Sequence, residues 1–185
     1  MSSRAVRIEH LRGFLAPFGV SLAFSNDAKS ALDAWIARYG AFLYVREFGS
    51  SYLTRNPLWR GPRAGFNVIF DLATFLGEFA IHESENLRWE MQTDVPTGPR
   101  RQDESYQKPA LAGFPHNPRW RSYIIEEVHT ICHAHQEASF MWVKPFIHVG
   151  SGALMYTQFA SRTLRKLRHL ARGDAEGANR AATES

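Results

Sequence analysis

Cysteine is almost missing from this chain of 185 residues, where Cys132 is the only one. An intrachain disulfide is thereby excluded, and so is a four-cysteine zinc site. Long hydrophobic runs are missing too. The most apolar window, Phe66 to Ile81, is broken by Asp71 and Glu78 and falls short of bilayer-spanning length. The N-terminal segment MSSRAVRIEHLRGF has no apolar core of secretory length, because Glu9 and His10 interrupt it. Together these absences point to a reducing, cytoplasmic setting. No internal repeat is present. Gly150-Ser151-Gly152 lacks the third glycine of a dinucleotide fingerprint and the Lys-Ser/Thr of a P-loop. Its simpler reading is a tight turn with Ser151 as a helix N-cap.

Acidic residues are missing from one long stretch. Residues 1–95 carry 10 Lys/Arg and 10 Asp/Glu, whereas residues 96–185 carry 12 and 8, so the whole net charge of +4 lies in the second half. Between Glu137 and Asp174 there is no carboxylate, while Lys144, Arg162, Arg165, Lys166, Arg168 and Arg172 are present. That stretch is a local positive field.

What the chain has is apolar and aromatic material. A hydrophobic fraction of 44%, with 13 Phe, 5 Trp and 6 Tyr, is enough for a core and argues against wholesale disorder. Arg4 to Leu15 has weak helical spacing and should end near Pro17 and Gly19. Val20, Leu22 and Phe24 alternate with Ser21 and Ala23, the pattern of a short strand. Ser25 and Asn26 offer an N-cap for a helix in which Ala28, Leu32, Trp35, Ile36 and Tyr39 recur at helical spacing until Gly40. Ala41 to Phe48 suits a strand or a kinked extension of that helix. Asn67 to about His82 reads as a buried helix. Leu87, Trp89 and Met91 read as the core face of a strand.

Residues 94–119 form a long Pro-rich loop in which Pro109 to Pro115 could pin part to the core. Ser122 to about Ala138 reads as a helix, and Phe140 to Val149 as strand broken at Pro145. A last helix then runs to about Arg172. The expected fold is α+β, with about four to five helices on a small, mostly antiparallel sheet in a single domain over 1–173. Residues 174–185 form a disordered polar tail.

Two polar helix faces carry the candidate chemistry. On the segment 126–137, Glu126, His129, His133 and Glu137 fall in one stripe at about 100° per residue, with Ile124, Val128, Ile131 and His135 opposite. Glu126/His129 has the i, i+3 spacing of di-iron bundles and His129/His133 the i, i+4 spacing of zinc helices. The candidate ligand set for a divalent transition metal is therefore Glu126, His129 and His133. A zinc-protease helix would need Glu after the first His, and Thr130 stands there. The competing reading is a solvated face, with no cofactor. On the segment 67–82, Asp71, Thr74, Glu78 and His82 share a narrow stripe on an otherwise apolar helix. Asp71, Glu78 and His82 are candidate acid–base groups, because burial would raise a carboxylate. The competing reading is the helix's one solvent-facing edge.

Leu76-Gly77-Glu78 near the end of an apolar helix, then Trp89 in a strand, then a Pro-rich loop, resembles a module of small bacterial α+β proteins over Asn67 to Pro115. The resemblance implies an α+β fold in which Gly77 allows close packing and Trp89 fills the core. It supplies no activity.

The last helix places Tyr156, Ala160, Leu164, Leu167 and Ala171 on one side and Arg162, Arg165, Lys166, Arg168, His169 and Arg172 on the rest. Helix-dipole compensation accounts for only some of these charges. The functional expectation is a non-catalytic interaction or regulatory protein whose basic face meets an acidic protein partner. The alternatives are a carboxylate/histidine hydrolase, with or without metal, and nonspecific nucleic-acid binding.

Overall fold

The computed structural model describes residues 4–44, 64–91, 93, 109–115, 117–141, 164–165 and 167. Among them are four α-helices and a two-stranded antiparallel sheet, a small single-domain α+β fold. Helix α1 (Arg4–Leu15) buries Arg7, Leu11 and Leu15, one residue per turn along a single stripe. It gives way to a 3-10 turn over Ala16–Phe18 that contains Pro17. Helix α2 (Asn26–Tyr39) starts where expected. Ser25 is extended, and its side chain accepts from the Ala28 N–H at 3.3 Å. Ala28, Leu32, Trp35 and Ile36 turn inward, and a 3-10 turn over Gly40–Phe42 follows.

The segment before α2 departs from the expected strand. Val20 and Leu22 are buried while Ser21 and Ala23 are exposed, so the alternation is real. Yet among the described residues the segment joins no sheet. Alternation reports which side chains find the core, and a partner strand is a separate requirement. Of the two readings of Ala41–Phe48, the start follows the kinked helical extension, as the 3-10 turn, and residues 45–48 lie outside the described residues.

Helix α3 (Ala64–Glu83) is longer than the spacing suggested, at 20 residues. By length and composition it could cross a membrane, but 72% of its apolar window is buried inside the fold. It packs against both α1 and α4, which makes it the centre of the core. Strand β1 (Arg88–Met91) pairs antiparallel with β2 (Pro109–Ala112), with Trp89 opposite Leu111 and Glu90 opposite Ala110. Met91, expected on the core face, is exposed at the strand's end. Strand β2 lies within the stretch expected as loop. Gly113 leaves it at φ +94, and an added side chain there would run into the Asn86 backbone carbonyl. Leu111 also pairs with Ser122 through two backbone hydrogen bonds of 2.9 and 3.0 Å.

Helix α4 (Ile124–Met141) continues through Phe140 and Met141, where strand was expected. The glycine turn at 150–152 and the tail lie outside the described residues, as do residues 94–108 of the loop. Of the last helix, Leu164, Arg165 and Leu167 are described and helical.

Among the contacts that join the helical and sheet parts is a close one at Gly77. Trp89 on β1 lies against α3 at Gly77, where a Cβ would sit 2.6 Å from the indole Cη2. The indole N–H donates to Glu78 Oε1 at 2.9 Å. The close packing that the resemblance implied at Gly77 is made by the ring of Trp89. Gly77→Ala should therefore cost about 3 kcal/mol in urea denaturation, an overpacking penalty. Adding Trp89→Leu to that variant should return part of the loss by making room. A Gly77→Ala protein as stable as the parent would show that the ring does not press on the helix.

Candidate functional site

The polar stripe of α3 is neither a pocket wall nor a solvent edge along most of its length. Asp71 and Thr74 are buried, and Thr74 turns its hydroxyl back to donate to the Phe70 carbonyl at 2.8 Å. What covers Asp71 is Arg7, itself buried, whose Nε donates to Asp71 Oδ1. The same guanidinium donates through Nη2 to Asn67 Oδ1 at 2.9 Å and lies 4.4 Å from the centroid of the Phe70 ring. One turn earlier, Arg4 Nε reaches Glu78 Oε1 at 2.6 Å, the oxygen that also accepts from Trp89. His82, at the exposed end, packs at a tilt against Phe24 with ring centroids 4.8 Å apart.

Two arginines of α1 thus occupy the two carboxylates that the sequence offered as acid–base groups. Neither Arg7, Arg4 nor Asn67 was among the residues singled out from the sequence. A signal for Arg7 was present: with Leu11 and Leu15 it completes an i, i+4, i+8 stripe, so a core-facing charge needed a partner.

Asp71 is nonetheless perturbed. Burial raises its carboxyl from an ordinary 3.8 to about 7, against the opposing pull of Arg7. Its Oδ2 and the Asn67 Nδ2 are buried with no hydrogen-bond partner among the described residues, which is why desolvation prevails.

The histidine stripe of α4 meets a different partner. His129 and His133 are half-buried against Tyr44, with ring centroids 5.0 and 4.6 Å from it. Gln136 Nε2 donates to the Tyr44 carbonyl at 2.9 Å. The face opposite the main core stripe is therefore partly covered by the chain just after α2, rather than open to water. Burial first, and the neighbouring His133 second, lower His129 from 6.5 to about 4, so its imidazole is neutral at physiological pH. Glu126 stands in the first turn of α4, where a carboxylate suits the helix dipole. Among the described residues no three His, Cys, Asp or Glu side chains are gathered as a metal would require. Cys132 is fully buried, and burial pushes its thiol up to about 12, which keeps it protonated and unreactive.

The basic residues of the last helix are represented by Arg165, which is exposed between the buried Leu164 and Leu167. Arg162, Lys166, Arg168 and Arg172 lie outside the described residues.

Two predictions follow from the buried groups. Arg7→Met takes the hydrogen-bond partner from a buried carboxyl that then keeps its proton, and should cost about 1–3 kcal/mol, whereas Arg7→Met with Asp71→Leu should recover most of it. Equal losses in the single and double variants would mean that the pair is not coupled. The second concerns pH. A raised Asp71 gives the folded state a proton that the unfolded chain has released, so that stabilisation is complete below about pH 4 and gone above about 7. A lowered His129 acts in the opposite sense. Its stabilisation is complete above about pH 6.5 and gone below about 4. Between these limits the two slopes, each up to about 1.4 kcal/mol per pH unit, offset one another. In urea denaturation across pH 4 to 6.5, stability of Asp71→Asn relative to the parent should rise with pH and that of His129→Gln should fall. Parallel curves would refute both assignments.

No protein-family model, no curated protein and no solved structure matches the chain, which leaves this geometry as the ground for any functional reading.

Proposed function

We propose that the protein is a non-catalytic interaction protein that binds an acidic protein surface through the basic outer face of its last helix. The observation that carries the reading is the seating of that helix. Leu164 and Leu167 are each 1% exposed and belong to the main core, while Arg165 between them points outward. An amphipathic helix anchored on that side presents the rest of its circumference, where the sequence sets Arg162, Lys166, Arg168 and Arg172. The occupation of Asp71 and Glu78 by arginines supports the non-catalytic part, because both carboxylates are committed to holding α1 on α3. A single buried thiol suits a reducing, cytoplasmic location.

The test is affinity capture, followed by measurement of the captured partner's Kd across a salt series. Arg162→Glu, Arg165→Glu and Arg168→Glu combined should weaken binding tenfold or more at low salt and flatten its salt dependence, with the melting temperature unchanged. An unaltered Kd in the triple variant would remove the basic face from the account.

A further inference from the structure

The outer side of the small sheet holds a second charged surface, built differently. Strand β2 lies between β1 and Ser122, and the alanines Ala110 and Ala112, paired with Glu90 and Arg88, are buried beneath the charged side chains on that face. Directly paired residues share a face. With no side chain beyond Cβ on β2, Glu90 reaches across it. Its Oε2 lies 2.7 Å from Arg121 Nη2, while Oε1 lies 2.5 Å from Arg88 Nη2. One carboxylate thus answers two guanidinium groups and leaves a positive charge over.

Arg121 also fixes the turn before it. Its Nη1 donates to the Pro118 and Trp120 carbonyls at 2.8 and 3.0 Å. The Trp120 N–H donates to the Asn117 carbonyl at 2.9 Å, and the Asn117 N–H to the carbonyl of the buried Phe114 at 3.1 Å. On this pinned turn the Trp120 indole is 43% exposed. Arg119 beside it is exposed, and Arg88 keeps 64% of its side chain in solvent. The sequence supplies no carboxylate anywhere from Ser105 to Ile125.

An exposed indole is costly to leave in water, and here the backbone turn that carries it is pinned. Its chain neighbours on both sides are arginines, Arg119 and Arg121. That pairing suits a ligand with flat aromatic faces and a repeating negative charge. An acidic protein surface would use the charges and leave the ring idle. We propose that the Asn117–Arg121 turn binds single-stranded nucleic acid, with a base stacked on Trp120 and flanking phosphates held by Arg119 and Arg88.

The test is fluorescence anisotropy with labelled twelve-nucleotide oligo(dT) and oligo(U), beside a duplex of equal length and polyglutamate. The parent should bind the single strands at low salt and release them as salt rises. Trp120→Leu should weaken binding tenfold or more without lowering the melting temperature, since the ring is half in solvent. Arg119→Glu should weaken it as well and reduce the salt slope by about one. The combined Arg162→Glu, Arg165→Glu, Arg168→Glu protein should keep its Trp120-dependent binding, which separates this surface from the last helix. No binding at low salt would overturn the proposal, as would binding indifferent to Trp120→Leu. Duplex or polyglutamate bound as tightly as the single strands would overturn it too, in favour of a surface that recognises charge alone.

Discussion

A guanidinium cannot shed its charge inside a protein, so a buried Arg7 has to be answered by whatever it is packed against. On α3 the answer comes from Asn67, Phe70 and Asp71, spaced i, i+3 and i+4 and therefore one patch of helix surface. An amide oxygen, a ring face and a carboxylate receive one cation. Such a match exists at one place along α3 and sets where α1 lies. Arg4, one turn towards the N-terminus, reaches Glu78, which is seven residues further along α3. The two helices therefore run in opposite directions. The offset of about 10 Å on α3 against about 4.5 Å on α1 is within the reach of a long arginine side chain. Glu78 in turn receives the Trp89 indole, so the register set at Arg7 passes through α3 to the sheet.

The energetics make this a matter of position more than of strength. Burying two opposite charges costs about as much as their attraction returns, and apolar replacements of such pairs are often neutral or better. Besides its arginines, α1 is held by the buried Leu11 and Leu15 and by Ile8 and Phe14, which pack against the core. Apolar contacts alone would allow it to slide by a turn with small loss, because leucines are indifferent to which apolar neighbour they meet. The arginine is not indifferent. The same desolvation that makes the pair costly holds the Asp71 proton to about neutral pH. With the carboxyl protonated, the Asn67 oxygen and the Phe70 ring still face the cation.

Much of the fold was legible because local rules and tertiary packing agree. Ser25 caps α2 as its chemistry requires, whereas Gly40 keeps a right-handed backbone at φ −55 and the chain runs on into the 3-10 turn. The apolar circumference of α3 foretold a helix at the centre of the core, and the resemblance implied close packing at Gly77, where the structure sets Trp89. Elsewhere local pattern and context part. Val20 to Ala23 alternates in burial, Phe24 is exposed, and no strand lies beside the segment among the described residues, since periodicity records burial and says nothing of hydrogen-bond partners. Pro109 to Ala112 forms a strand from residues of poor strand propensity, because pairing with β1 and burial override propensity. The candidate sites were half legible. The stripes on α3 and α4 were visible as residue sets, but what covers them comes from distant parts of the chain. Arg7 lies 64 residues from Asp71, and Tyr44 lies 85 residues before His129. No spacing rule within one helix reports such partners.

The placement of charge follows from the same compensation. Asp71, Glu78 and Glu90 each take an arginine within the fold, and Glu90 takes two. These carboxylates are spent locally and do little to screen the rest of the surface. The net charge of +4 is thus expressed by arginines that remain exposed, Arg119, Arg88 and Arg165 among them. Charge of this kind attracts any polyanion within a Debye length of about 8–10 Å and chooses poorly among them. Choice has to come from groups with shape. Among the described residues the basic sheet surface has such a group in Trp120, whereas Arg165 stands beside buried leucines. Selectivity for a flat, stackable ligand would then belong to the turn, and the last helix would contribute attraction that any acidic surface could use.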